Sequence, residues 1–155
     1  MAEPVPPDPL PPDPGPGRPD EDALVDALAQ TAFATMAVLQ RVGADHDLSL
    51  TALRVLAILR DRRLRMTALA DHLGLEKSTM TGLVARLEKR GLLRRAAGAG
   101  DGRAVDVVLT AAGADLAARL APQVRQALSP LTEALGAGEQ RRLRVLLERM
   151  LPMAD

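Results

Sequence analysis

The hydrophobic period of this chain changes in the middle and then changes back. Between Asp20 and Lys89, apolar residues recur at spacings of three and four, as amphipathic helices require. After Gly91, the runs LLRRA and AVDVVL are typical of short β-strands, and the glycine-rich AGAGDGR between them is typical of a hairpin tip. Helical spacing resumes after Thr110. We therefore predict a mainly α fold with a small β-hairpin, in the order helix, helix, helix, helix, hairpin, helix, helix.

Glycines and capping residues indicate where the first helices begin and end. The first helix is expected over about residues 21–42, ended by Gly43, and the second from about Thr51. Thr67 is expected to cap a short third helix, which Gly74 closes.

The composition excludes several classes of chemistry. The chain has no cysteine, so it can form no disulfide, thiolate metal site or cysteine nucleophile. Its one aromatic residue, Phe33, leaves no set of rings on which nucleobases could stack. His46 lies between Asp45 and Asp47, and a single imidazole between two loop acids indicates a solvated loop rather than a metal site. We therefore expect that the protein is not an enzyme and that it binds no cofactor and no metal ion.

The formal net charge of zero conceals a basic block. Residues 54–103 hold twelve bases and five acids, a balance of +7, whereas residues 1–26 hold seven acids and one base. A local excess of arginine and lysine is typical of proteins that bind polyanions, although it can also be a solvated face.

The predicted fourth helix, Lys77 to Lys89, has two different faces. At about 100° per residue, one arc carries the large apolar side chains that must face the core, namely Met80, Leu83, Val84 and Leu87. The opposite face carries Ser78, Gly82, Ala85 and Lys89, flanked by Thr79, Thr81 and Arg86. Small and hydroxyl-bearing side chains allow a helix to approach the base edges of DNA. The alternative is a solvent-exposed helix whose small residues have no binding role.

Two helices joined at Gly74 and followed at once by a hairpin form a winged helix-turn-helix. Arg94 and Arg95 lie at the base of the hairpin, and Arg103 lies at its tip beside Asp101. An arginine on a thin hairpin can enter a narrow minor groove, with Asp101 supporting its orientation. A surface ion pair between Arg103 and Asp101 is the alternative.

Two segments resemble the MarR family of bacterial transcription regulators. The run LRMTALADHLGLEKSTMTGLVARLEKRGLLRR is similar to that family's helix-turn-helix, and DGRAVDVVLTAAG is similar to its wing signature, so the match covers roughly residues 48–116. The resemblance implies a homodimer that binds double-stranded DNA. It implies that Ser78, Thr79 and Thr81 address the major groove, Arg103 the minor groove, and Lys77, Arg86, Arg94 and Arg95 the phosphates. Thr67 is also expected to contact DNA.

This chain departs from the family pattern at three places. Gly82 stands where an arginine is common, which removes a polar anchor and costs roughly 1 kcal/mol of helix propensity relative to alanine. Glu76 replaces the usual small capping residue, although an acid near a helix start is favoured by the helix dipole. Gly102 and Ala104 flank Arg103 where a second charged residue is frequent.

The chain divides into four expected segments. They are a disordered proline-rich arm at 1–19, an N-terminal dimerisation helix at 20–47, a winged helix-turn-helix DNA-binding region at 48–110 and C-terminal dimerisation helices at 111–155. No run of about eighteen to twenty apolar residues is apparent, and the acidic start lacks the basic segment of a signal peptide. We therefore expect a cytoplasmic protein with no membrane contact.

Apolar stripes in the terminal helices predict dimerisation, with packing inside one subunit as the alternative. The helix after Thr110 is expected to continue, kinked, past Pro122 and Pro130. The candidate dimerisation residues are Leu24, Leu28, Leu128, Leu143, Leu146, Leu147 and Met150.

The resemblance also implies a small anionic or phenolic effector that binds between the dimerisation helices and the DNA-binding region. The candidate lining residues, each of which could instead belong to the core, are Phe33, Met36, Leu39, His46 and Leu53. The function expected is a sequence-specific repressor released by an effector. The alternatives are a sequence-tolerant architectural DNA-binding protein and a winged-helix module that binds only proteins.

Overall fold

The computed structural model describes residues 19–98 and 104–151. It confirms the predicted fold class and the predicted order of helices and hairpin. The helices are α1 (Pro19–Ala44), α2 (Leu50–Leu59), α3 (Met66–Leu73), α4 (Lys77–Lys89), α5 (Ala111–Leu128) and α6 (Ala137–Met150), with a 3-10 helix at Ser129–Leu131. The strands are β1 (Leu64–Arg65), β2 (Leu93–Ala97) and β3 (Val105–Leu109). The chain divides into two units, with the boundary between Ala34 and Thr35 inside α1.

The three strands form one antiparallel sheet in the order β1-β3-β2. β2 and β3 are the two sides of the predicted hairpin, paired from Leu93 with Leu109 to Ala97 with Val105. β1 pairs Leu64 with Val107 and was not predicted, because two residues are too few to show a period.

The core lies between α2, α3, α4, the sheet and α5. Its most buried large side chains are Leu56, Leu69, Met80, Val55, Val84 and Val107. The four residues predicted to face inward from α4 are all buried, which confirms the orientation of that helix. Burying an aliphatic side chain of this size stabilises the fold by roughly 1.5–3 kcal/mol.

The structure confirms two of the predicted helix boundaries, and in each the predicted residue caps the helix. The Thr110 hydroxyl accepts a hydrogen bond from the Gly113 backbone N–H (3.0 Å) and so caps α5. Gly74 ends α3 in the left-handed conformation, with φ of 64°, where a side chain would be strained.

Two other boundaries differ from the prediction. Thr67 does not cap α3, because β1 leads directly into the helix at Met66 and Arg65 occupies the N-cap position. α5 continues past Pro122 but ends at Leu128, and Pro130 lies in the 3-10 helix. Pro130 has no N–H group to donate the next hydrogen bond of the α-helix, and the chain continues there as a 3-10 helix.

Gly113 allows α5 to approach the start of the hairpin. A Cβ atom at this position would overlap the carbonyl oxygen of Leu92. The Thr110 hydroxyl donates to the Gly91 carbonyl oxygen (2.5 Å) from the same turn, so the helix start and the hairpin base are joined directly.

The expectation that no segment approaches the length and hydropathy of a membrane helix is wrong. Residues 20–44 of α1 are long and apolar enough to cross a membrane, since they contain an 18-residue window with a mean hydropathy of 1.3. Alanine accounts for much of this value, because it raises mean hydropathy without adding a large apolar side chain. One such helix near the N-terminus is weak evidence, since helices of soluble proteins meet the same criterion.

Candidate nucleic-acid interface

The outer face of α4 is polar and exposed. Lys77, Ser78, Thr79 and Thr81 lie at its N-terminal end, opposite the buried apolar side chains. The Thr81 hydroxyl donates to the Lys77 carbonyl oxygen (2.8 Å), so its proton is used and its lone pairs remain as acceptors. Glu76 occupies the N-cap and makes no side-chain hydrogen bond to the helix. The start of α4 therefore presents backbone N–H groups and a hydroxyl acceptor beside a lysine.

A basic cleft of about 370 Å³ lies beside this face. Its three cationic side chains come from three elements: Arg65 from β1, Lys77 from α4 and Arg95 from β2. The other lining residues are Met66, Thr67, Thr81, Ala104 and Val105, so no acid lines the cleft among the described residues. The cleft therefore suits an anion.

The cleft brings together four of the residues predicted to bind DNA, namely Thr67, Lys77, Thr81 and Arg95. Sequence reasoning missed Arg65. Arg65 belongs to the basic block, but a two-residue strand gives no pattern that would place it beside α4.

Glu88 holds the base of the hairpin against α4. One carboxylate oxygen of Glu88 accepts from the Arg95 backbone N–H (3.1 Å), and the other pairs with Arg95 Nε (3.1 Å). Arg95 is thus fixed by an acid in the last turn of α4, and its neighbour Arg94 is exposed. Neither contact was predicted, because residues seven positions apart face each other only after the chain turns at Gly91.

Arg63 joins the loop before β1 to both strands of the hairpin. Its Nε lies 3.0 Å from Asp106 Oδ2, and its Nη2 donates to the Ala97 carbonyl oxygen (3.4 Å). Asp106 is only 6% exposed and is the buried charged residue of the described core. A buried carboxylate needs such a partner, so this pair ties the loop before β1 to the hairpin.

The predicted wing-tip residues Arg103 and Asp101 lie outside the described residues. Their proposed contact with the minor groove and with each other stays a prediction.

A second cavity, of about 360 Å³, is largely apolar and lies between α1, α2 and α5. Two predicted effector residues, Leu39 and Leu53, line it. Phe33 and Met36 are not among its lining residues and are exposed, and His46 instead lies with its Nε2 2.7 Å from Gln123 Oε1. The lining residues that the sequence did not indicate are Arg54, Leu56, Ala57, Arg60, Ala117, Leu120, Ala121, Val124, Arg125 and Leu128.

The candidate dimerisation residues are mostly exposed in the single chain. Leu24 and Leu28 of α1 are exposed, and so are Leu146, Leu147 and Met150 of α6. Leu128 and Leu143 are half-buried. α6 has no fully buried residue at all.

Comparison with known proteins identifies the family. The model of the MarR family matches residues 46–104. The regulator PecS of Dickeya dadantii is 31% identical over 145 residues, which cover 86% of this chain and 85% of PecS. The chain belongs to the MarR family. The transcriptional repressor NicR of Pseudomonas putida is 32% identical over 116 residues, 74% of this chain and 73% of NicR.

A solved structure agrees with this assignment. BpsR of Bordetella bronchiseptica, whose DNA binding is regulated by 6-hydroxynicotinic acid, superimposes with a TM-score of 0.72 at 26% identity. The match covers 91% of this chain and all of BpsR (100%). This MarR-family member is therefore a winged-helix, DNA-binding transcriptional regulator, and its relatives are regulators rather than enzymes.

Proposed function

We propose that this protein is a homodimeric regulator that reads a pseudo-palindromic duplex, with α4 in the major groove and the hairpin of residues 91–109 in the minor groove. The observation that carries the proposal is the convergence of Arg65, Lys77 and Arg95 on one cleft beside the hydroxyl-bearing face of α4. Cations position a protein on the DNA backbone, and short polar side chains contact base edges. A face with both properties supports a sequence-specific reader.

The test is a titration of the purified protein on the DNA upstream of its own gene and on a shuffled duplex, at two salt concentrations. We expect a strong preference for the native duplex, weakened by Arg65→Ala and by Arg103→Ala. Arg119→Ala is the matched control, because Arg119 is an exposed arginine of α5 outside the basic block. It should bind as the wild type does.

Two results would contradict this function. Equal binding to both duplexes with a steep salt dependence indicates an architectural DNA-binding protein. Binding to neither duplex indicates a winged-helix module that acts through proteins.

We also propose that the apolar cavity holds a small aromatic anion that releases a repressor from DNA. Arg60 is paired with Asp61 at 2.9 Å, whereas Arg54 and Arg125 make no ion pair within residues 19–98 and 104–151. Two available guanidinium groups beside an apolar cavity suit a ligand with a flat ring and a carboxylate. The regulation of BpsR by 6-hydroxynicotinic acid and the repressor role of NicR support this proposal.

Calorimetric titration with 6-hydroxynicotinate and salicylate tests the cavity. We expect binding by the wild type, weaker binding by Arg54→Ala and Arg125→Ala, and a lower affinity for DNA in the presence of the ligand. Binding that is unchanged in both variants would place the ligand elsewhere.

The exposed apolar side chains of α6 support a dimer formed by the terminal helices, flanking a DNA-binding region at 48–110. Winged-helix readers commonly bind two half-sites about one turn of DNA apart, so a dimer suits a pseudo-palindrome. Sedimentation of the full chain should give a dimer, and Leu147→Glu should give a monomer. The relatives are DNA-binding regulators, which supports a cytoplasmic location.

A further inference from the structure

Gly82 is a glycine that the fold itself does not require. It lies in the middle of α4, and its φ is not among the positive values found at Gly74 and Gly91. Apart from its chain neighbours and the backbone of its own helix, a Cβ atom at Gly82 would meet only Nη1 of Arg86 within 4 Å, at 3.7 Å. The guanidinium group of Arg86 therefore lies where a side chain at position 82 would project.

Arg86 stands one helical turn after Gly82. Long side chains on an α-helix point back towards its N-terminus, over the residue four positions earlier. Gly82 is accordingly half-buried, although Thr81, Ala85 and Arg86 around it are exposed. The guanidinium thus lies over Gly82, near the centre of the outer face, rather than at the flank from which Arg86 projects.

No neighbouring acid neutralises the charge of Arg86 among the described residues. Within residues 19–98 and 104–151, no acid lies at ion-pair distance from Arg86 and its side chain makes no hydrogen bond. Glu88, the nearest acid along α4, is already paired with Arg95. The five N–H donors of Arg86 are therefore available to a ligand.

We propose that Arg86 is a specificity-determining residue that reads a guanine in the major groove, and that Gly82 provides the space through which its guanidinium reaches the centre of the face. A guanidinium in that position can donate two hydrogen bonds to O6 and N7 of one guanine. This inference rests on the proposed function, because it requires α4 to enter the major groove. It replaces the phosphate contact that sequence comparison implies for Arg86.

Selection from a library of random duplexes tests the proposal, followed by titrations of the selected site and its single-base variants. For the wild type we expect one guanine per half-site to be preferred by about 5- to 150-fold over other bases. Arg86→Ala should lose that preference while leaving the salt dependence of binding to unrelated sequences unchanged. Arg94→Ala, an exposed arginine on β2, is the phosphate-contact control, and it should weaken all sequences alike and reduce the salt slope by about one.

The Gly82→Leu variant tests whether the glycine acts through Arg86. Leucine favours the helix, so the variant should fold, but its side chain fills the space that the guanidinium occupies. We expect the same loss of guanine preference as in Arg86→Ala. In the double variant, the Gly82→Leu change should add no further loss of preference, because coupled residues are not additive.

The outcomes separate this inference from the function on which it rests. A wild-type protein that selects no sequence overturns both. A protein that selects a site but whose Arg86→Ala variant behaves like Arg94→Ala overturns the base-reading role alone. A Gly82→Leu change that is equally harmful with and without Arg86 overturns the link between the two residues.

Discussion

α4 and α6 are two amphipathic helices of similar length with opposite surroundings. α4 has 13 residues and buries four apolar side chains within its own chain, leaving a polar face exposed. α6 has 14 residues and buries none, and Leu146, Leu147 and Met150 are each more than 40% exposed. The hydrophobic period alone cannot distinguish these situations, because both helices carry a regular apolar stripe. The core formed by α2, α3, α4, the sheet and α5 is completed within the chain, whereas α6 leaves a stripe of large apolar side chains exposed.

The largest expected difference comes from removing one leucine from each region. Leu69→Ala empties a site that is completely buried, so we expect it to lower the free energy of unfolding by about 2–5 kcal/mol at every protein concentration. Leu146→Ala removes a side chain that is 45% exposed, so if α6 forms the proposed dimer the cost of this change should depend on protein concentration. Denaturant unfolding at several concentrations measures both. A large cost of Leu146→Ala that does not vary with concentration would mean that α6 packs within its own chain.

Replacing one glycine by alanine should lower the free energy of unfolding in the core and raise it in α6. Gly113→Ala forces a methyl group against the Leu92 carbonyl oxygen, and we expect a loss of up to about 3 kcal/mol. Gly138→Ala in α6 meets only Arg141 Nη2 at 3.9 Å, so it should stabilise the helix by about 0.5–1 kcal/mol. Thermal unfolding of the two variants side by side checks the signs. Equal effects would contradict the close approach of α5 to the hairpin.

The contribution of an ion pair to stability should also differ between the core and α6. Arg63→Ala leaves the buried Asp106 carboxylate without its partner, and we expect a cost of about 1–2 kcal/mol. Arg144→Ala breaks an exposed pair with Glu148, with Nη1 and Oε1 2.8 Å apart, and should cost less than about 0.5 kcal/mol. Urea denaturation of both variants measures the two losses in free energy of unfolding. Similar costs would indicate that water reaches Asp106.

The same comparison explains what could be predicted from the sequence. The fold class, the element order, the inward face of α4 and the caps at Gly74 and Thr110 follow from periods and local chemistry. β1, the pair of Arg63 with Asp106 and the placement of Arg65 in the basic cleft depend on contacts between residues distant in the chain, and no local pattern encodes them. The effector candidates were placed near α1 and α2, but half of the cavity wall comes from α5, whose packing against α2 a single sequence does not reveal.

The smallest expected effect concerns pH and lies directly after the end of α2. A hydrogen bond from Arg60 lowers the pKa of Asp61 below its ordinary value, and the same contact raises the pKa of Arg60. A lowered carboxyl pKa stabilises the fold above the unfolded-state pKa and loses that contribution as the pH falls through the folded-state pKa. Both side chains are exposed, so solvent screens the pair. Asp61→Asn should therefore leave stability at pH 7 and at pH 3 within experimental error of the wild type. A pH-dependent difference between variant and wild type would mean that the pair is shielded from water, as it would be if the proposed dimer covered the end of α2 as well as α6.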